Sequence, residues 1–269
     1  MSNRKKNYND KSEESIIKND LDWYSPDSGL WGERYMDEKK DVLTDDRNKK
    51  EIRIIKRYLI DVGDVLDIPC GYGRISNTLA KDGYRVTGVD NNQFFLDIAQ
   101  NEADRERLDV EYVNENMINY EPGKQFDAVL NIFTSVGYFN SEKKNTDALI
   151  KMSDLVKTNG VLIVELMNPI KLLKNFQKNI YKTTAKGTKI EFENFFDPKT
   201  SVNTTVITEK FKNGETNKVY SRIRLYYPHE LINIYQNAGM NLLALLDKNG
   251  DEKDVSESLR MYLIFKKIL

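Results

Sequence analysis

One stretch limits the folds open to this chain more than any other: Asp67-Ile68-Pro69-Cys70-Gly71-Tyr72-Gly73-Arg74, followed by Val86-Thr87-Gly88-Val89-Asp90. An apolar run, a glycine turn, a helical pattern and a second apolar run ending in a carboxylate read as strand, turn, helix, strand. Glycines at 71 and 73 let the backbone turn tightly and approach a ligand, and amides at the helix start can face an anionic group. Asp90 lies 17 residues beyond Gly73, where an acceptor for the two hydroxyls of a ribose is needed. A glycine turn by itself is equally compatible with plain structure, so the context decides.

That context is an alternation. Strands are expected at Val65 to Asp67, Tyr84 to Asp90, Val110 to Val113, Phe126 to Asn131 and Val161 to Leu166. Between them fall helices at Arg74 to Lys81, Gln93 to Arg107 and Ser141 to Lys157, the last closed by Gly160. Upstream, Ile52, Ile55 and Leu59 share one face of a further helix. This order calls for right-handed crossovers and an α/β, Rossmann-like, doubly wound parallel sheet.

From about Tyr181 the rhythm changes to strands without helices, with turns at Asp197-Pro198 and Asn213-Gly214. This predicts an inserted antiparallel β subdomain at about 180–227. Pro228 opens a helix that Gly239 closes, and Asn241 to Leu246 and Arg260 to Phe265 read as two final strands. Residues 1–22 are polar and read as a flexible N-terminal arm ahead of one domain, 23–269.

The 41 basic and 42 acidic residues leave a formal net charge of −1, so no bulk field attracts nucleic acid or an anionic membrane. Cys70 is the single cysteine, which excludes an internal disulfide and fits a reducing, cytoplasmic setting. One cysteine and one histidine give no basis for a metal site. No apolar run approaches the roughly 20 residues that span a bilayer.

A dinucleotide site usually has glycine or alanine three residues after the second turn glycine; here that residue is Ser76, and the alternation does not continue into a second nucleotide-binding half. The chain instead resembles the class I S-adenosyl-L-methionine-dependent methyltransferases. Leu66 to Arg74 resembles the first motif of that family, with Cys70 where a third glycine is often found, and Val89-Asp90 resembles the second. Glu115-Asn116-Met117, Phe126 to Leu130 and Lys157 to Glu165 match the later motifs in order.

The resemblance implies a seven-stranded sheet with an antiparallel last strand, and a cofactor site built from Asp67, Cys70, Gly71, Gly73, Asp90, Asn91, Asn116, Met117 and Asn131. In it Asp67 and the glycine backbone hold the amino-acid end, and Asp90 takes both ribose hydroxyls. Asn91 flanks the adenine, Asn116 takes its amino group through the amide oxygen, and Met117 packs beside the ring. Asparagine at 116 departs from the usual aspartate and is the weaker acceptor.

The acceptor side is quieter. Asn131 to Phe139 follows the fourth strand at the ligand-binding edge and is similar to the SxGYF-type motif of small-molecule methyltransferases, which makes Tyr138 the candidate facing substrate. Phe133 and Phe139 suit core and site equally. Base-methylating enzymes carry Asn/Asp-Pro-Pro-Tyr/Phe at Asn131, and this chain has no proline there. Glu165 and Asn168 could orient an amine or bond locally. Arg222 and Arg224 lie on one face of a hairpin that suits a lid, an anion site or a homodimer contact. Trp31, Arg34 and Tyr35 could close over the cofactor from the other side. His229 reads as a cap or surface residue, and no catalytic acid or base is identified. The expected function is methyl transfer to nitrogen or oxygen of a small molecule; alternatives are an RNA or protein methyltransferase, or a non-catalytic cofactor-binding protein.

Overall fold

The computed structural model describes residues 23–39, 42–184 and 187–268; the predicted arm, 1–22, lies outside them. Seven strands form the main sheet: β1 (Asp64–Asp67), β2 (Arg85–Asp90), β3 (Val110–Asn114), β4 (Phe126–Asn131), β5 (Val156–Met167), β10 (Met240–Asp247) and β11 (Arg260–Lys267). Their spatial order is β10-β11-β5-β4-β1-β2-β3. The five from β3 to β5 run parallel, and β11 is antiparallel to both β5 and β10. The reversed strand is the expected one.

Strand alternation divides the core. Leu66, Val129, Leu162 and Val164 enter one apolar layer with Leu149 and Met152 of α5 (Glu142–Asp154) and Leu231 and Tyr235 of α7 (Pro228–Asn237). Their neighbours Val65, Leu130, Val161 and Ile163 enter the other, against Ile52, Ile54 and Ile55 of α2 (Asp45–Lys56) and Ile75 and Leu79 of α3 (Arg74–Lys81). A strand presents successive side chains to opposite faces, so a sheet covered on both sides requires this unbroken apolar run. Each fully buried Leu, Ile or Val contributes about 1.5–3 kcal/mol. The remaining helices are α1 (Glu33–Lys39), α4 (Gln93–Glu106) and the short α6 (Pro169–Lys174).

The largest departure from expectation is at the junction of α5 and β5. Helix α5 ends at Asp154, and β5 begins at Val156 instead of Val161, so Gly160 lies inside the strand. The reason is a bulge: Phe126 pairs with Val156, but Ala128 pairs with Val161, and the extra residues on β5 loop out between them. The insertion is a four-stranded antiparallel sheet, β6 (Asn179–Thr183), β7 (Lys189–Asp197), β8 (Val202–Lys210) and β9 (Thr216–Arg224). Ile190, Ile207 and Val219 of one face pack with Leu30 of the N-terminal segment. The end of β9 is tied to the loop after β4 by the Arg224 amide, which donates to the Gly137 carbonyl at 2.8 Å. Among the described residues, no helix is long and apolar enough to cross a membrane.

Candidate active site

The carboxyl ends of β1, β2 and β4 open into a cavity lined by a few polar groups and many apolar and aromatic side chains, the make-up of a small-molecule site. One half is the glycine turn with the ends of β1 to β3; the other is aromatic.

Asp90 is the best-organised group. Its Oδ2 accepts from the Gly71 amide at 2.8 Å and its Oδ1 from the Asn92 amide at 2.9 Å. The carboxylate is thus fixed in orientation, 8% exposed, with lone pairs left for a ligand. Burial raises its pKa, opposed by the amides of Asn92, Gly71 and Asn91. Asp67 is 1% exposed and accepts from the Ser76 hydroxyl at 2.7 Å. Burial pushes its carboxyl up to about 7, against the pull of Ser76 and of the Arg74 charge. Burial likewise pushes the Cys70 thiol up, with Asp67 and Asp90 adding to it.

The two glycines of the turn have different jobs. Gly71 (φ +55°) has open space where a Cβ would project, and it lines the cavity; it is the cradle. Gly73 (φ +77°) does not line it. A Cβ there would collide with the Tyr112 hydroxyl and lie 2.6 Å from Ala99 Cβ of α4, so this glycine seats α3 against its neighbours. Gly73→Ala is therefore expected to lower stability by about 2–4 kcal/mol, the left-handed penalty plus overpacking. Gly71→Ala should weaken ligand binding more than it lowers the unfolding midpoint. Denaturant unfolding and calorimetry of the two variants separate these effects, and equal effects of both kinds would contradict the division.

Of the other predicted cofactor residues, Asn91, Asn116 and Met117 line the cavity. The Asn116 amide oxygen already accepts from the Ile118 amide at 3.1 Å, so it reaches a ligand with its second lone pair at most. Asn131 is displaced from the expected site. It is wholly buried, its side-chain NH₂ donates to the Ile68 carbonyl at 2.8 Å, and it is absent from the cavity wall, because it points between β4 and β1.

The aromatic half is assembled from distant segments. Trp23, 1% exposed, donates from Nε1 to the Tyr138 carbonyl at 3.1 Å, and its ring centroid lies 4.5 Å from that of Tyr138. Tyr24 meets Phe139 edge-on at 5.1 Å, Trp31 meets Tyr35 at 4.9 Å, and Tyr35 lies 6.0 Å from Phe95. Tyr138, Trp31 and Tyr35 all line the cavity; the Arg34 side chain lies outside what is described. Sequence reasoning missed Tyr24, Tyr72 and Phe95, although Tyr72 sits between the two glycines and Phe95 in the first turn after Asp90.

Substrate candidates elsewhere are engaged with the protein itself. Glu165 is 0% exposed; Arg260 binds both its oxygens, Arg47 lies 3.8 Å away, and the Phe133 amide donates to it at 2.7 Å. Burial pushes its pKa up, but the Arg260 charge and hydrogen bonds, Arg47 and the Phe133 amide outweigh that and hold it below the ordinary value. Glu165 thus anchors the loop carrying Phe133 and Thr134, which have φ of 71° and 57°. Arg224 is bound to Glu230 and lies over the Tyr226 ring, and Arg222 donates to Asn140 at 3.2 Å. Neither arginine lines the cavity; the insertion is joined to the rest of the chain by the Arg224 amide at the Gly137 carbonyl and by packing on Leu30. Asn168 caps α6 and donates to the Val255 carbonyl, and His229 sits in the first turn of α7 away from the cavity. Among the described residues no three His, Cys, Asp or Glu side chains are grouped to hold a metal ion.

The strand order with β11 reversed, the glycine cradle and an oriented carboxylate ending β2 define the class I S-adenosylmethionine-dependent methyltransferase fold. Residues 65–160 match the family described as a methyltransferase domain. A protein of Geobacillus sp. (strain WCH70), provisionally named a methyltransferase, is 32% identical over 117 residues, 44% of this chain and 47% of the relative. The match spans about half the length of such curated relatives. A solved S-adenosylmethionine-dependent methyltransferase from Clostridium acetobutylicum superposes with a TM-score of 0.74 at 18% identity, covering 87% of this chain and 97% of the other. The amino pentose methyltransferase CalS10 from Micromonospora echinaspora, solved with S-adenosylmethionine bound, gives 0.65 at 17% identity, covering 88% and 98%. These structural likenesses show the fold.

Proposed function

We propose that this chain transfers a methyl group from S-adenosylmethionine to nitrogen or oxygen of a small molecule. The observation that carries this is Asp90, held by two backbone amides at the floor of a cavity whose opposite wall is aromatic. The residues fit the cofactor: Asp90 would take the ribose hydroxyls, Gly71 would leave room for the chain of the donor, and Asp67 would face its amino group. Bound there, S-adenosylmethionine supplies an electrophilic methyl on a sulfonium, a good leaving group that departs as a neutral thioether.

The protein's own task is then orientation and exclusion of water, which can supply several kcal/mol of the barrier. Trp31, Tyr35 and Tyr138 shut the aromatic side. Burial raises the phenols of Tyr35 and Tyr138, so they are protonated and cannot serve as bases at neutral pH. With no histidine in the cavity wall, the acceptor's proton leaves to solvent, or the nucleophile enters as a neutral amine. The amino pentose substrate class of CalS10 supports a small acceptor. Isothermal calorimetry with S-adenosylhomocysteine, then transfer of a labelled methyl group to a small-molecule panel, tests the proposal; absence of binding would overturn it.

A pH dependence follows from Asp67. Its folded pKa, about 7, lies above the ordinary 3.8, so the empty fold holds this proton more tightly than the unfolded chain does. Stability is fully present below pH 3.8 and declines as pH rises toward 7. A ligand ammonium favours the carboxylate, so S-adenosylhomocysteine affinity should fall below pH 7, approaching tenfold per unit, with proton release on binding. Calorimetry from pH 5.5 to 8.5 checks this; a flat profile would contradict it.

A further inference from the structure

Resting on the methyl-transfer proposal, we infer that Arg74 takes the carboxylate of the donor's amino-acid end, and that Glu51, buried behind it, positions the guanidinium. The amino-acid end of S-adenosylmethionine carries an ammonium and a carboxylate on one carbon, so it needs opposite charges close together. Asp67 suits the ammonium. The carboxylate meets a harder problem, because Asp67, Asp90 and Glu115 all line the cavity and repel it. Arg74 is the cation of that wall among the described residues, placed directly after Gly73 at the start of α3. Its charge reaches Asp67, whose pKa it pulls down. A carboxylate and a guanidinium within electrostatic reach of each other are the complement of a zwitterion.

The guanidinium is braced by α2. Asn48 and Glu51, three residues apart on one face of that helix, both engage its Nη1. The Asn48 amide oxygen accepts at 2.9 Å, and Glu51 Oε2 lies 2.5 Å away. Asn48 is itself fixed, donating to the Thr78 hydroxyl of α3 at 3.2 Å. An arginine has five N–H groups in a planar fork, so Nε and Nη2 remain to grip a carboxylate with parallel bonds. A side chain already braced loses less rotamer freedom on binding than a free one.

Glu51 does not cancel Arg74, because it is shared. Its Oε1 accepts from Arg47 Nε at 2.6 Å, Arg47 lies 3.8 Å from Glu165, and Glu165 is bound to Arg260. Three guanidiniums thus alternate with two carboxylates, which leaves one positive charge over. Glu51 is 3% exposed and Glu165 0%, so solvent screens this chain of charges little. Arg74 is the member of it that lines the cavity. An anion bound there completes the alternation.

The test uses the full chain and two probes that differ by one group: S-adenosylhomocysteine and S-adenosyl-3-thiopropylamine, the same molecule with hydrogen in place of the carboxylate. By calorimetry the unaltered protein should bind the first about 10- to 100-fold more tightly, the worth of charge-assisted hydrogen bonds. Arg74→Met should abolish this preference by weakening S-adenosylhomocysteine alone, and Arg74→Lys should keep part of it. Glu51→Asp keeps the charge but withdraws the brace by one methylene, and should narrow the preference by about threefold or more; a merely structural role would weaken both probes alike. Equal binding of the two probes by the unaltered protein, or an undiminished preference in either Arg74 variant, would overturn the inference. A preference indifferent to Glu51→Asp would overturn the role given to Glu51. Failure of S-adenosylhomocysteine itself to bind the unaltered protein would instead remove the methyl-transfer proposal beneath it. The preference is read first on the unaltered chain, so the inference can fail there whatever a variant does to folding.

Discussion

Asp90→Ala should weaken S-adenosylhomocysteine binding by roughly 10²–10⁴-fold. Two hydroxyls bonded to an ionised, oriented carboxylate contribute about 1.5–3 kcal/mol each, and each 1.4 kcal/mol is tenfold. Asp90 also holds the Gly71 and Asn92 amides, so its loss frees the cradle as well as the ligand. Asp90→Asn, which keeps one acceptor oxygen, should lie between. Calorimetry gives the affinities and thermal unfolding shows whether the fold survives. An alanine variant within threefold of the unaltered protein would remove the central support of the proposed function.

Arg260→Met is expected to be the most damaging single change away from the cofactor end, at about 3–5 kcal/mol, because it strands a buried carboxylate. Glu165 is 0% exposed and keeps only Arg47 at 3.8 Å and the Phe133 amide. At about 2–4 °C per kcal/mol the unfolding midpoint should fall by roughly 6–20 °C. In the unaltered protein Glu165 is held below its ordinary 4.5, so its contribution is present above pH 4.5 and lost as pH falls through the folded value. Without Arg260, burial dominates and the sign reverses. The gap between the two proteins should therefore widen from acid to neutral pH. Adding Glu165→Gln should recover part of the loss, since the double variant leaves no buried charge unpaired. A single variant within 1 kcal/mol of the unaltered protein at pH 7 would show that Glu165 is not held as described.

Much of the frame was legible locally. Arg74–Lys81 and Phe126–Asn131 coincide with their predicted spans, because helical spacing and unbroken apolar runs are properties of neighbouring residues. The passage from α5 to β5 was not legible. Lys157-Thr158-Asn159-Gly160 has the composition of a helix exit, and only pairing with β4 shows it to be a bulge. Similarly, Arg222 and Arg224 share a strand face as predicted, but which element that face meets is not encoded in the alternation.

The sequence by itself determined the glycine turn and the two carboxylates beside it, because Asp67, Gly71, Gly73 and Asp90 lie within one short window where spacing sets geometry. It also marked Tyr138 as a candidate to face substrate and Trp31 and Tyr35 as candidates to close over the cofactor. Only the tertiary structure brought those rings together, since Trp23 and Tyr138 are 115 residues apart along the chain. Only it could turn Glu165 from a candidate for substrate into the partner of Arg260, 95 residues away. Contacts over such separations depend on how the layers pack, and nothing in a window of neighbouring residues reports that.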